Sequence, residues 1–227
     1  DGIIDETRFD RAKRKVLFMM KEPNNPKQNE WSFRDLWKNR VVYRFSFRLA
    51  EWAYGIQHEF PPYAEVRSSR KNLDDAIRSV ALVNIKKSGG KSSSNHNEIK
   101  HHCEMNKELL LDEIKIIKPD VILLGTGSGD IRRTLFGEID RRCLEHDIIL
   151  GEWENIPVFD FFHASARKPG EWLYEKLKDA WQQSLEQSIK PNLLSDPDVS
   201  RYCSNIKKPN NTPVPGFLLN FATTIEH

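Results

Sequence analysis

The 227-residue sequence has only three cysteines, Cys103, Cys143 and Cys203, far apart and without a C-x-x-C pair. An odd, scattered set excludes a disulfide framework, a zinc knuckle and an iron–sulfur ligand run, and fits free thiols in a reducing compartment. Long apolar runs are missing as well. The longest is Val16–Met20, far short of the roughly 20 residues that cross a bilayer as a helix. The opening Asp1-Gly2-Ile3-Ile4 lacks the basic-then-apolar pattern of a secretion signal. The expectation is a cytoplasmic protein with no membrane association. Internal repeats are absent, which excludes solenoid and propeller architectures.

What remains has the composition of an ordinary globular protein, 38% apolar and 30% charged. A chain of this length buries a core without disulfides or metal. The net charge of +2 says little, but its distribution says more. Between Arg8 and Arg48 there are twelve Lys/Arg against the four acids Asp10, Glu22, Glu30 and Asp35. An excess of this kind fits either a polyanionic partner or a solvated face balanced by acids elsewhere.

Four short apolar runs read as buried strands: Lys15–Met20, Val80–Val83, Val121–Leu124 and Pro157–Phe162. Helical patterns lie between and after them. Trp31–Tyr54 is rich in aromatics and arginine. Glu104–Lys118 places Met105, Leu109, Leu110, Ile114 and Ile117 on one face, and Pro119 stops it. Asp130–Glu145 repeats Ile131, Leu135, Ile139 and Cys143, and Glu171–Ile189 forms a last helix. Alternating strands and helices predict an α/β fold: a single three-layer α/β/α domain around a central, mostly parallel four-stranded sheet. This domain spans 1–190, and a proline-rich, irregular extension spans 191–227. The segment Lys86–Asn97 is a polar Gly/Ser/Lys loop.

In open parallel sheets, ligands bind at the carboxyl ends of the strands. The residues that follow the four predicted strands are Lys21-Glu22-Pro23-Asn24, then Asn84, then Gly125-Thr126-Gly127-Ser128-Gly129, then His163-Ala164-Ser165-Ala166-Arg167. Each signal alone is weak, because such residues are common as caps and turns. Together they bring an acid, an amide, a glycine-rich turn and a histidine to one crevice.

These four segments resemble the motifs of the uracil-DNA glycosylase superfamily over about Lys15 to Lys176. That family carries G-Q-D-P-Y or G-M-N-P-G after its first strand, an Asn ending an apolar strand, a Gly/Ser turn after the third, and a closing H-P-S-P-L or H-P-S-P-R. Here VLFMM-KEPN, ALVN, LLGTGSG and FFHASARKP stand at those places. The closing motif is most similar to that of the single-strand-selective branch. No glycine opens the first motif, and no tyrosine follows Pro23.

The resemblance implies a monofunctional glycosylase that flips out a pyrimidine and hydrolyses its N-glycosidic bond. The oxocarbenium-like transition state asks for a carboxylate near the sugar and a donor near the base O2. Glu22 takes the first role and His163 the second. Asn84 reads the base edge through its amide, Pro23 lines the pocket, and Phe33 or Trp31 stacks on the base. Asn24 replaces the tyrosine that packs against C5 in strict uracil enzymes. This implies a substrate beyond uracil, such as 5-hydroxymethyluracil or a modified cytosine. Arg167 fills the gap left in the duplex. Ser165, Thr126, Ser128, Lys86, Lys87, Lys91 and Arg132 contact phosphates. The expected partner is DNA, the expected state a monomer, and no cofactor or metal is required.

Three other readings stay open. Gly125-x-Gly127-x-Gly129 suits a nucleotide-binding module, although it lacks the G-x-G-x-x-G spacing. His96, His101, His102 and Cys103 suit a metal-dependent nuclease, although no second ligand pair sits at usual spacing. A catalytically silent DNA-binding relative shares every motif.

Overall fold

The computed structural model describes residues 1–27, 32–38, 40–91, 93–138, 141–143 and 148–194. Trp31, Ile139, Cys203 and the segment 195–227 lie outside the described residues. The chain divides into two units, Asp1–Glu186 and Gln187–His227. Of the second unit, residues 187–194 form the end of the last helix.

All four expected strands are present and run parallel to one another. They are β2 (Val16–Met20), β3 (Val80–Asn84), β4 (Val121–Leu124) and β7 (Ile156–Asp160), in the order β3-β2-β4-β7. The first three are buried along their whole length. This explains their continuous apolar character: helices cover both faces of a parallel sheet, so neither face needs polar residues. On one face Val16, Phe18 and Met20 pack with Trp37, Leu49, Trp52, Leu73 and Leu173. On the other, Leu17 and Met19 pack with Phe9, Ile99, Leu110 and Ile131.

The sheet is larger and more mixed than the expected four parallel strands. Among the described residues it has seven strands in the order β1-β3-β2-β4-β7-β6-β5. β1 (Gly2–Ile3), β6 (Ile149–Trp153) and β5 (Arg141–Cys143) add antiparallel edges. β1 is too short to leave a periodic signal. β6 joins β7 by a two-residue hairpin at Glu154-Asn155, both with positive φ (50° and 67°), the geometry that matches the twist of paired strands.

The helices also differ from their sequence patterns at identifiable breaks. The Trp31–Tyr54 pattern divides into α2 (Phe33–Trp37) and α3 (Tyr43–Gln57). Between them the Asp74 carboxylate accepts from the Val41 backbone N–H at 2.6 Å, Arg70 donates to its carbonyl, and Tyr43 has φ +68°. The Glu104–Lys118 pattern divides at Asn106 into α6 (His96–Met105) and α7 (Lys107–Ile117). The break leaves Met105 and Leu109 exposed, while Leu110, Ile114 and Ile117 are buried. In place of one helix over Asp130–Glu145, α8 (Gly129–Phe136) ends at Gly137, whose φ of 74° suits glycine, and the chain continues into β5. α1 (Glu6–Arg11), α4 (Tyr63–Ser68) and α5 (Arg70–Arg78) are short elements without a long period, and α9 is Gly170–Leu194.

Candidate functional site

Parallel alignment brings the four polar segments to one edge of the sheet. β2 and β7 are separated by β4 alone, so their ends lie two interstrand spacings apart, about 10 Å. Gly125, just past β4, sits between them. A Cβ there would lie 2.7 Å from the Met20 sulfur and 3.6 Å from the His163 Cα, so glycine lets the three strand ends close up.

His163 is the most defined group at this edge. Its Nδ1 lies 3.1 Å from the Ser165 backbone nitrogen, which donates to it, and 2.7 Å from the Ser165 hydroxyl. A backbone N–H cannot accept, so Nδ1 is unprotonated and the neutral ring carries its proton on Nε2. Burial, reinforced by the Lys21 ammonium, pushes its pKa down to about 4. The imidazole is therefore neutral at physiological pH and offers one N–H. The Phe45 ring lies 5.9 Å from it, centroid to centroid.

The segment that carries His163 is held from beneath by Arg48. This buried α3 guanidinium donates to the carbonyls of Ala164 (3.1 Å), Ala166 (2.5 Å) and Lys168. Arg44 also donates to the Lys168 carbonyl, at 3.0 Å. Buried carbonyls without partners are costly, and a charged donor satisfies three at once. Phe45, Arg48 and Lys21 were not among the expected site residues. The signal for Arg48 was a cation at position 48 beside the apolar stripe Phe45, Leu49, Trp52 and Ile56, which calls for a buried partner.

Glu22 is engaged elsewhere. Its side chain is only 4% exposed, and the Lys86 ammonium, also buried, lies 2.8 Å away. Lys86 reaches Glu98 of α6 as well, at 2.7 Å, and both hydrogen bonds raise its pKa. The loop after β3 closes over this pair: the Gly90 N–H donates to the Pro23 carbonyl at 2.8 Å, and the Asn25 N–H donates to the Gly90 carbonyl at 3.1 Å. A Cβ on Gly90 would overlap the Glu22 carboxylate. No hydrogen bond or ion pair among the described residues joins the Glu22 group to the His163 group. Asn24 is exposed beside Gly90, on the rim.

The remaining expected residues separate by environment. Asn84, almost fully buried, donates its amide to the Asp1 carboxylate at 2.7 Å. Lys87 reaches Asp1 and Glu113, at 2.9 and 2.5 Å. Phe33 is a core residue, 4.8 Å from the Trp37 ring and 6.4 Å from Phe45. Thr126 is buried, and the Ser128 hydroxyl caps α8 by accepting from Asp130 N–H at 3.3 Å. Arg132 and Lys86, expected on the surface as phosphate contacts, are both buried. Arg132 pairs with Asp160 at 3.5 Å, because helical periodicity turns it to the sheet rather than to solvent. Ser165 and Arg167 are exposed. His101 and His102 have ring centroids 6.2 Å apart, Cys103 is buried, and no three His, Cys, Asp or Glu side chains among the described residues converge as a metal-binding set. No described helix is long and apolar enough to cross a membrane. No protein-family model matches the chain, and no curated protein matches it.

Proposed function

We propose that the protein is a monofunctional DNA glycosylase that everts a pyrimidine and hydrolyses its N-glycosidic bond, leaving an abasic site. The observation that carries this reading is the fixed, neutral His163. As the bond breaks, positive charge develops on the sugar and negative charge on the departing base. An Nε2–H already oriented, on a ring that does not titrate near neutrality, stabilises base anion at O2 without reorganisation. The Lys21 ammonium beside it favours the same charge, and Phe45, rather than the core residue Phe33, is the aromatic positioned for stacking on the base.

Glu22 is the carboxylate available to steady the sugar cation or orient water. Its ion pair with Lys86 fixes its direction, and movement of the Gly89-Gly90 loop is needed to open it to a substrate. The exposed Asn24 in place of a bulky aromatic favours pyrimidines carrying a C5 substituent, such as 5-hydroxymethyluracil or a modified or glucosylated cytosine, with uracil the unmodified alternative. Such an activity serves base-excision repair or defence against phage with modified DNA. Arg167 and Ser165, exposed beside His163, are the groups placed to fill the vacated stack and bind backbone. DNA is the partner, and the acting unit is a monomer in the cytoplasm.

One observation favours a second reading, a catalytically silent DNA-binding relative: the carboxylate at residue 22 is covered and paired. Incubation with base-modified or uracil-containing oligonucleotides, followed by alkali, separates the two. Strand scission abolished in His163→Ala supports catalysis, and DNA binding without scission supports the silent relative.

A further inference from the structure

The outer face of α9 carries a large aromatic that the core does not use. Leu173, Tyr174 and Leu177 are fully buried, whereas Trp172 beside them is 36% exposed. Its ring meets the half-buried Phe162 edge to face, with 5.5 Å between centroids, and Phe162 is the residue before His163. The indole therefore stands one ring contact from the segment that holds the neutral imidazole. Two ammoniums lie over it, Lys168 at 5.5 Å and Lys176 at 5.8 Å from the ring centroid.

The charge around this indole is mostly of one sign. Arg167 and Lys168 are exposed, and no ion pair engages either of them among the described residues. Lys176 also has Asp179 at 3.8 Å, and the exposed Glu171 is the acid that stands against the three cations. Cations beside an exposed indole suit a ligand with phosphates and uncovered base faces together, which is a single strand. A duplex offers the phosphates but keeps its base faces stacked inside. A base stacked on an indole is worth more than an exposed ammonium–indole contact. A base therefore displaces a lysine from the ring, and that lysine turns to the neighbouring phosphate. Drawing a nucleotide out of a single strand also spares the cost of unpairing it.

We propose that Trp172, with Lys168 and Lys176, is a stacking platform for the base next to the everted nucleotide, so that the protein takes its target strand single. That the strand is DNA and that a nucleotide is everted beside the platform rest on the glycosylase reading; stacking of a single strand on Trp172 does not.

The test is fluorescence anisotropy of the full chain with labelled oligodeoxyadenosine, its duplex with oligothymidine, and a base-free strand of the same length. The single strand should bind at least about tenfold tighter than the base-free strand. Trp172→Ala should weaken the single strand about tenfold and leave the duplex and the base-free strand nearly unchanged. Trp172→Phe, which keeps a ring, should retain most of the affinity. Lys168→Ala should lower the slope of log K against log salt by about 1 on both unpaired strands. Single-strand binding untouched in Trp172→Ala overturns the proposal, as does a loss of equal size on all three probes, which would mark Trp172 as a support for Phe162. A Trp172→Phe variant as weak as Trp172→Ala, or no binding of the single strand at all, overturns it too. Oligodeoxyadenosine holds no pyrimidine, so binding is read without base release, and this outcome and that of the glycosylase assay are distinguishable.

Discussion

At the scale of single residues, His163 has a titration that can be measured directly. Its pKa is lower in the folded protein, about 4, than the ordinary 6.5 of an unfolded chain. Between those values the unfolded state binds more protons. The contribution to stability is complete above about pH 6.5 and declines as pH falls toward 4. Denaturant unfolding across this interval should show that decline, and His163→Gln should reduce it; an unchanged slope would remove the half-buried, neutral imidazole from the account. Nitrogen-detected NMR at pH 7 should find Nε2 protonated and Nδ1 bare. The sequence made this histidine visible because it follows an apolar strand. It placed Lys21 at the same edge without giving it a role, and it did not reveal Phe45, whose approach depends on how α3 packs against the sheet.

At the scale of elements, the loop after β3 and the segment after β7 are each set by a buried cation. Removing Lys86 leaves the Glu22 carboxylate buried without a partner, which costs roughly 3–5 kcal/mol. Lys86→Met should therefore lower unfolding free energy by about that amount, and Glu22→Gln in the same chain should recover part of it. A cost under about 1 kcal/mol would mean the pair is solvated. Arg48→Lys keeps the charge but gathers its donors on one nitrogen, losing the planar fork whose two nitrogens span the three carbonyls. It should raise hydrogen exchange in 164–168 and slow base release while α3 stays folded; unchanged exchange in that segment would contradict the role of Arg48. Element types were largely legible, because buried parallel strands print as unbroken apolar runs. Boundaries were not. A carboxylate from α5 interrupts the aromatic helix at Val41, and the positive φ of Gly137 ends α8 inside an apolar repeat that continues at helical spacing.

At the scale of the whole molecule, the basic excess over Arg8–Arg48 is much reduced by folding. Arg8 pairs with Asp75, Lys13 with Glu59 and Arg34 with Glu6, acids outside that segment, and Arg48 is spent on backbone carbonyls. The linear sequence showed the cations but not the acids that fold against them. Arg167 and Lys168, at the His163 edge, stay exposed and are the cations the proposed DNA contact would use. A footprint of three or four phosphates predicts that log K falls with log salt at a slope of about −3; a slope near zero would exclude a backbone-contact mode.

The central claim is that a neutral imidazole at residue 163 takes part in releasing a base from DNA. Its most direct test is mass spectrometry of free bases after incubation with DNAs containing uracil, 5-hydroxymethyluracil, or modified or glucosylated cytosine. The account predicts release of one of these pyrimidines, with an intact abasic site, falling at least about a hundredfold in His163→Ala. No release from any of these DNAs, or release untouched by that substitution, would contradict it.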